Sequence, residues 1–170
     1  MDFTKVIRTI PNFPEEGIMF RDITTVLHDG EALHTAVDMI CSQLEGLDFD
    51  LVLGPESRGF IFGTPAAYKL KKGFVPVRKA GKLPYKTLSK AYDLEYGQAI
   101  IEIHEDAIKK GQKVVVVDDL LATGGTCKAI CELVEEIGGI VEAIVFFIEL
   151  EDLNGREVLK GYNISSLVKY

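Results

Sequence analysis

The sequence predicts an α/β fold with a central, mostly parallel sheet flanked by helices. Apolar runs of strand length alternate with helical patterns along the chain, and short connections separate them. Residues 114–117 are four consecutive valines, and a β-branched run that is apolar on both faces is typical of a strand covered on both sides. The 170 residues, of which 47% are hydrophobic and 26% charged, are enough for one globular domain with a substantial core.

The individual elements follow from apolar periodicity and from turn residues. Short apolar runs predict strands over residues 49–53, 74–77, 99–103, 114–117 and 140–148. Periodic apolar residues predict helices over residues 32–44, 60–70 and 126–137. Asp29 is the capping candidate of the first helix, Gly73 closes the second, and Gly138 ends the third. Residues 78–96 are polar and rich in Lys, Gly and Pro, which predicts a long loop that acts as a lid or binding loop.

Composition excludes several classes of function. The net charge of −7 argues against a general binder of nucleic acids or anionic membranes, because such proteins need a cationic surface. No stretch approaches the roughly 20 apolar residues of a membrane span, and the N-terminus lacks the apolar region of a signal peptide. Three cysteines predict buried free thiols in a reducing, cytoplasmic environment, and the scattered histidines do not support a zinc site.

The segment from Val114 to Thr126 carries most of the chemical information. In a parallel sheet the ligand binds outside the carboxyl ends of the strands, so the loops after Leu53, Val77 and Val117 are predicted to converge. The last of these strands delivers two carboxylates, and a turn of small residues then opens a helix. Glycines allow backbone N–H groups to approach an anion, and the start of the helix adds partial positive charge. The acids and the turn comprise Asp118, Asp119, Ala122, Thr123, Gly124, Gly125 and Thr126.

This turn differs from the commoner phosphate loops. It lacks the lysine of the P-loop and the spacing of the dinucleotide fingerprint. Two acids beside a phosphate are reasonable if they hold ribose hydroxyls, or a cation bound to them, while the turn holds a 5′-phosphate. The segment resembles the phosphoribosyl pyrophosphate signature of the type I phosphoribosyltransferases. The alternative is an ordinary glycine-rich turn capped by acids.

Further motifs resemble the adenine phosphoribosyltransferases in particular. Residues 54–60 place Arg58 at the same sheet edge, where its planar guanidinium suits a pyrophosphate group. The segments GIMFRDI, RKAGKLP and YDLEYG begin at Gly17, Arg78 and Tyr92, in the order that the family has them. The resemblance runs from about Pro11 to Leu150. Two departures are Tyr85, where glycine is expected, and Ala80, where a basic residue is frequent.

The resemblance implies a role for each matched residue. Met19, Phe20, the backbone of Arg21 and Leu120 bind adenine, and Phe20 and Leu120 stack on its two faces. Glu95, in a lid with Tyr92 and Tyr96, approaches the imidazole edge of the base and acts with Arg58 in catalysis. The residues implied in pyrophosphate binding are Glu56, Ser57, Arg58, Arg78 and Lys82.

Further properties follow from the same resemblance. It implies a cis peptide between Glu56 and Ser57, and Mg²⁺ held mainly by substrate oxygens and water. It also implies a single domain over residues 1–170, in which residues up to about 30 form a hood and residues 80–97 a lid. A homodimer is implied too, in which Arg78 is a candidate to reach across the interface. Ala122 separates the chain from 6-oxopurine enzymes, which carry an acid before the Thr-Gly pair.

Other interpretations stay open from the sequence. Phe20 is also compatible with a core position, Glu95 with a surface carboxylate, and Lys82 with a solvated basic loop. A phosphoribosyltransferase for another base, such as xanthine, is the nearest alternative enzyme. A regulator that only senses a phosphoribosyl ligand is the alternative from another class, and a DNA-binding regulator would normally add a basic segment. A phosphoribosyl pyrophosphate synthase-like domain would need an ATP site and a much longer chain.

Overall fold

A computed structural model describes residues 1–94 and 97–170. The chain divides into two compact units, residues 1–39 and residues 40–170. Helix α3 begins in the first unit and ends in the second. The elements that begin in the first unit are α1 (Phe3–Val6), β1 (Arg8–Pro11), β2 (Met19–Asp22), α2 (Thr24–Leu27) and α3 (Gly30–Leu44).

The N-terminal unit contains an antiparallel pair of strands, β1 and β2, in a register that runs from Arg8 opposite Asp22 to Pro11 opposite Met19. Asp22 joins this pair to α2. Its carboxylate accepts the backbone N–H of Thr24 at 2.9 Å and two bonds from the Arg8 guanidinium, at 3.0 and 2.5 Å. The Thr24 and Arg8 bonds lower the pKa of Asp22 to about 2. Asp29 caps α3 as predicted, since its carboxylate accepts the N–H groups of Glu31 and Ala32.

The larger unit is built on a seven-stranded sheet with the order β5-β6-β4-β3-β7-β8-β9. Its strands are β3 (Leu51–Pro55), β4 (Gly73–Lys79), β5 (Thr87–Leu94), β6 (Gly97–His104), β7 (Lys113–Leu121), β8 (Ile140–Glu149) and β9 (Ile164–Lys169). Its further helices are α4 (Arg58–Leu70), α5 (Gly125–Ile137) and α6 (Gly155–Val158). The pairs from β4 through β3, β7 and β8 to β9 are parallel, and β6 pairs antiparallel with β4 and β5. The predicted fold class is therefore confirmed.

Helices cover both faces of this sheet. On β8, Phe147 contacts Phe62 of α4, with ring centroids 4.9 Å apart. The adjacent Phe146 belongs instead to the core cluster that contains Ile130 and Leu133 of α5. Because successive side chains of a strand point to opposite faces, α4 and α5 lie on opposite sides of the sheet. This double coverage explains why the valines of β7 are apolar on both faces.

All eight predicted helices and strands are present, with bounds shifted by at most four residues. β7 is the main extension, because it continues through the two acids to Leu121, which pairs with Glu149 at the end of β8. The predicted closure of α4 by Gly73 is wrong. Lys71 ends the helix in a left-handed conformation (φ 56°), and Gly73 is already the first residue of β4.

The predicted loop over residues 78–96 is also wrong for most of its length. Arg78 and Lys79 complete β4, and β5 occupies Thr87–Leu94. Only residues 80–86 connect the two strands. β5 is an edge strand whose backbone bonds to β6, so its stability comes from a partner later in the chain rather than from an apolar run of its own. Glu95 and Tyr96 lie outside the described residues.

The prediction of buried thiols is confirmed, because Cys41, Cys127 and Cys131 are buried and form no disulfide. Hydrogen bonding to Cys131, together with burial, raises the pKa of the Cys127 thiol well above its usual value. Within the described residues, no helix has both the length and the apolar character needed to cross a membrane.

Candidate active site

A pocket of about 510 Å³ lies at the carboxyl ends of β3, β4 and β7. This volume is in the usual range for small-molecule sites. The pocket confirms the predicted convergence of the loops that follow these strands. Its lining comprises Pro55, Glu56, Ser57, Arg58, Lys79, Tyr92, Asp118, Asp119, Leu120, Leu121, Ala122, Thr123, Gly124, Gly125, Thr126, Cys127 and Phe146.

The two acids of β7 lie side by side in this pocket. The backbone N–H of Asp119 donates to Oδ1 of Asp118 at 2.8 Å, and the residue Asp119 is only 5% exposed. Burial, with the neighbouring charge of Asp119, raises the pKa of Asp118 well above its usual range. Burial also raises the pKa of Asp119, although the charge of Arg58 opposes this shift. The ionised forms of both acids are therefore disfavoured in this pocket. Hydrogen-bond donors or a cation beside the carboxylates would stabilise them.

Arg58 is the first residue of α4 and forms an ion pair with one of these acids. Its Nε lies 2.7 Å from Oδ2 of Asp119. The sequence offered two interpretations of Arg58, a ligand-binding cation and an ion-pair partner, and the structure shows that it is at least the second. The pair connects the loop after β3 to the end of β7, so Arg58 has a defined position in the pocket wall.

The predicted phosphate loop, residues 122–126, consists of the turn between β7 and α5 and the first two residues of α5. Gly124 has a φ of 86°, a conformation that side chains rarely adopt, and it precedes the first residue of α5. A Cβ atom at Gly124 would lie 2.7 Å from the carbonyl oxygen of Gly155. Gly124 is therefore required by its backbone conformation and by a close backbone neighbour, as well as by any anion in the turn.

Glu56, at the other side of the pocket, bonds to three basic residues, of which Lys79 lines the pocket while the predicted site residues Arg78 and Lys82 are not among its described lining residues. Its carboxylate accepts Arg78 Nε at 3.0 Å, the backbone N–H of Lys79 at 2.9 Å and Lys82 Nζ at 2.8 Å. Burial opposes ionisation of Glu56, but the bonds from Lys82, Lys79 and Arg78 outweigh it and lower its pKa to about 2. The side chain is 9% exposed and negatively charged, so it serves here as a counterion for the cations rather than as an anion ligand.

The peptide bond between Glu56 and Ser57 is cis, as the motif implied. Lys79 is a pocket residue that the sequence prediction of the site did not include. The available signal was its position at the carboxyl end of a strand, next to Arg78. Tyr92, predicted as a lid residue, lines the pocket from β5.

Three of the four predicted base-binding residues belong to the N-terminal unit. Met19, Phe20 and Arg21 lie on β2 of the N-terminal unit. Phe20 is partly buried and meets Phe13 edge to face at 5.1 Å. Arg21 Nη1 donates to the hydroxyl of Thr9 at 2.5 Å. Their roles toward a base, like that of Glu95, stay predictions.

Comparisons with known proteins agree with this geometry. Residues 24–166 match the phosphoribosyl transferase domain family. A protein of Acetivibrio thermocellus called adenine phosphoribosyltransferase is 60% identical over 171 residues, and the match covers 100% of both chains. The chain belongs to the adenine phosphoribosyltransferase family. The resemblance drawn from the motifs is thereby confirmed, and the chain is a pentosyl transferase.

Solved structures of the family support the fold as well. The adenine phosphoribosyltransferase of Thermoanaerobacter pseudethanolicus is 56% identical, with a TM-score of 0.96 and coverage of 99% of this chain and 98% of that one. The enzyme of Saccharomyces cerevisiae is 37% identical, with a TM-score of 0.91 and coverage of 97% and 96%. The yeast structure contains adenine and an iminoaltritol bisphosphate.

Proposed function

We propose that this pocket transfers the 5-phosphoribosyl group from phosphoribosyl pyrophosphate to N9 of adenine, which gives AMP and pyrophosphate in purine salvage. The observation that carries the assignment is the convergence of Asp118, Asp119, the phosphate loop and Arg58 on one pocket. A neutral turn at the start of a helix suits a phosphate, and paired acids suit ribose hydroxyls.

The phosphate loop is proposed to bind the 5′-phosphate. Backbone N–H groups at the start of α5 and the hydroxyls of Thr123 and Thr126 supply donors, and all of these residues line the pocket. Asp118 and Asp119 would accept the ribose hydroxyls. Burial raises the pKa values of both acids, which disfavours their ionised forms. Hydrogen bonds from the ribose hydroxyls would offset this effect and stabilise the carboxylates.

The pyrophosphate group is assigned to the opposite side. Arg58 and Lys82 are proposed to bind it, together with the backbone of Glu56 and Ser57 and with Arg78. Arg78 and Lys82 both form ion pairs with the carboxylate of Glu56, which itself lines the pocket. A diphosphate would therefore compete with Glu56 for them.

Adenine recognition is proposed from the motif residues. Phe20 and Leu120 would stack on the base, with Met19 beside it, and the Arg21 backbone would pair with the adenine N6 amino group and N1. Adenine donates at its C6 substituent and accepts at N1, the reverse of hypoxanthine, so a site built for one leaves polar groups unpaired with the other. Ala122, in place of an acid, fits the same choice.

The reaction breaks the bond between ribose C1 and a pyrophosphate oxygen and forms the bond to N9. Positive charge develops on the sugar in the transition state, and the fixed carboxylates of Asp118 and Asp119 stabilise it. Arg58 and Lys82 stabilise the charge that accumulates on the leaving group. Glu95 is proposed to accept or orient the proton of the base. Residues 1–30 and 80–97 keep their proposed roles as hood and lid, and the lid would exclude water from the activated sugar.

The donor set of the site fits a magnesium ion that the substrate carries. Mg²⁺ favours one or two carboxylates together with phosphate oxygens and water, and the Asp118–Asp119 pair offers such carboxylates. Among the described residues, no group of three or more His, Cys, Asp and Glu is arranged to hold a metal. When bound, the ion neutralises diphosphate charge, and these two acids would hold it through water or ribose hydroxyls.

We also propose a cytoplasmic homodimer. Tyr68 on α4 is 86% exposed, and Ile61, seven residues earlier, is 36% exposed, so the two lie on one outward face of this helix. An apolar face of this kind suits a contact with a second copy. The free cysteines agree with a reducing compartment. Sedimentation equilibrium of wild-type protein and of Tyr68→Glu tests the dimer, and an unchanged mass in both would contradict this interface.

The function is tested by incubation with phosphoribosyl pyrophosphate, Mg²⁺ and each purine, with pyrophosphate release as the measurement. Adenine is expected to exceed hypoxanthine and guanine by about 10⁴-fold in kcat/KM. Asp118→Asn is the matched control and should lose activity with all bases. Comparable turnover of hypoxanthine would overturn the base assignment, and release with no purine would indicate a hydrolase instead.

The role of Glu95 has a separate test. Glu95→Gln keeps the shape of the side chain but cannot ionise, so it should lower the rate of AMP formation about a hundredfold with a modest change in binding. Rapid-mixing single-turnover experiments measure this rate, because product release often limits steady-state turnover. A wild-type rate in the variant would exclude proton transfer by Glu95.

A further inference from the structure

The phosphate loop has few side chains with which to hold its own shape, because all five of its residues are Ala, Gly or Thr. Its position therefore depends on what its backbone packs against. Gly155, the first residue of α6, is that neighbour. A Cβ atom at Gly155 would lie 2.3 Å from the carbonyl oxygen of Ala122, and one at Gly124 would lie 2.7 Å from the carbonyl oxygen of Gly155.

These two close approaches place the backbone of Gly155 against the first residue of the loop, Ala122, and against Gly124 at its centre. Contacts of this kind leave little freedom for the loop, because interiors of proteins are closely packed and neither partner can move without the other. The position of Gly155 consequently sets the position of the phosphate loop.

Arg156, the adjacent residue, is held by a dense polar network. Its Nε donates to Oε1 of Glu149 at 2.7 Å and its Nη2 to Oε2 at 2.8 Å, a two-pronged ion pair. Nη1 donates to the carbonyl oxygen of Ile164 at 3.2 Å, and Nη2 also reaches the hydroxyl of Ser166 at 2.9 Å. The Ser166 hydroxyl in turn donates to Glu149.

Glu149 joins this network to the sheet. It is the last residue of β8, is only 4% exposed, and pairs in register with Leu121 at the end of β7. The backbone N–H of Leu150 also donates to the carbonyl oxygen of Leu121 at 2.9 Å. Arg156 thus anchors α6 to β8 and β9, immediately beside the strand end from which the phosphate loop emerges.

We infer that Glu149 and Arg156 are positioning residues for phosphate binding, which act through the backbone of Gly155 on the phosphate loop. Neither lines the pocket among the described residues. They orient the group that binds the 5′-phosphate instead of touching it. The inference rests on the proposed placement of the 5′-phosphate in that loop.

The experiment compares ligands that share or lack a 5′-phosphate. Arg156→Lys keeps the charge but loses the two-pronged geometry. It should weaken binding of ribose 5-phosphate and of AMP about tenfold to a hundredfold by calorimetry, because small displacements of a binding group have effects of this size. KM for phosphoribosyl pyrophosphate should rise similarly, while kcat at saturation and the affinity for inorganic pyrophosphate stay within about threefold.

Two further variants make the test decisive. Glu149→Gln should shift the same constants in the same direction but by less, since one charge is lost while the shape remains. Lys169→Ala is the matched control, because it removes an exposed ion pair to Glu151 in the same segment at 2.6 Å, and it should change none of the constants.

The possible outcomes distinguish the positioning role of Arg156 from the assignment of the phosphate loop. Wild-type affinity of Arg156→Lys for ribose 5-phosphate, with or without a lower melting temperature, would overturn the positioning role. Equal losses for ribose 5-phosphate and pyrophosphate would also overturn it, because they would indicate a general disturbance. If the wild-type protein bound pyrophosphate but neither ribose 5-phosphate nor AMP, the assignment of the phosphate loop itself would fail, and the inference with it.

Discussion

The side of the pocket proposed for the 5′-phosphate consists of backbone atoms and small side chains. The side proposed for pyrophosphate instead has long charged side chains, of which Arg58 and Lys79 line the pocket. The phosphate loop is held by backbone packing between Gly124 and Gly155. Arg58, Arg78 and Lys82 are instead held by the carboxylates of Asp119 and Glu56.

This difference corresponds to the fate of each group in the proposed reaction. The 5′-phosphate is present in substrate and product, so a preformed site can hold it throughout. The diphosphate must bind as a substituent and leave as a free ion. Cations that already have a counterion suit such a ligand. When pyrophosphate leaves, Arg78 and Lys82 would again pair with Glu56, so that no unpaired charge remains.

The largest effect is expected for Gly124→Val, which tests the side of the pocket proposed for the 5′-phosphate. The added side chain meets the Gly155 carbonyl and requires an unfavourable backbone conformation. Binding of AMP and of phosphoribosyl pyrophosphate should fall by about a hundredfold or more, measured by calorimetry.

Gly111→Val is the matched control, because Gly111 has a similar φ of 84° with nothing within 4 Å of its Cβ position. It carries the same backbone penalty without the contact. If both variants bind AMP equally well, the packing of the phosphate loop does not determine phosphate affinity.

Arg58→Ala is expected to have the next largest effect and to separate the two sides. It removes charge-assisted bonds to the diphosphate worth about 2–4 kcal/mol together. The loss should appear in kcat/KM for phosphoribosyl pyrophosphate and be small in the affinity for AMP, which has no diphosphate. Equal losses for the two ligands would contradict the division of the pocket.

Glu56→Gln tests how much the ionised side chain of Glu56 stabilises the folded protein. The pKa of Glu56 is about 2 in the folded protein instead of 4.5, so its ionised form stabilises the fold above about pH 4.5. This contribution, about 1–3 kcal/mol, is lost as the pH falls toward 2. Urea unfolding between pH 2 and 5 should therefore depend less on pH in the variant than in the wild type.

Glu105→Gln is the control for that measurement, because Glu105 forms an exposed pair with Lys86 at 3.9 Å. Its stability curve should follow the wild type. A Glu56→Gln curve with the wild-type slope would mean that other groups account for the low-pH unfolding.

The smallest effect is expected for Lys82→Ala. Its ammonium is half exposed and shares Glu56 with Arg78, so its loss should raise KM for phosphoribosyl pyrophosphate only about three- to tenfold. The effect should decrease with added salt. Lys86→Ala, in the same connection, is the control and should leave KM unchanged.

Local signals explain which parts of this molecule were predictable. The valines of β7, the small turn and the glycine after α5 each specify structure through nearby residues, and the structure confirms them. The acids were expected after the strand but lie within it, because β8 extends the ladder to Leu121. That extension depends on pairing with β8, so the sequence of β7 alone does not predict it.

The missed features depend on residues distant in sequence. β5 is polar because it lies at the sheet edge, and only its pairing with β6 makes it a strand. The end of α4 at Leu70 was predicted correctly, but its closing residue was missed because Lys71 adopts the left-handed conformation usually found at glycine. The counterion role of Glu56 required Arg78 and Lys82 to be placed beside it in space. The position of Glu149 was visible in the sequence, because an acid at the end of an apolar run indicates a carboxylate at the end of a buried strand.

The pairing of β3 with β7 has a consequence for how the protein folds. Leu51 lies opposite Val114, so neighbouring strands at the centre of the sheet come from segments separated by more than a third of the chain. Contacts between such distant segments form slowly, because the entropy of closing the loop is lost before the contact stabilises the structure. Arg58 and Asp119 meet only after this step. During synthesis, a chain that ends before β7 contains Arg58 but lacks Asp118, Asp119 and the turn that follows them. Activity should therefore arise abruptly, late in folding, rather than in proportion to the length completed.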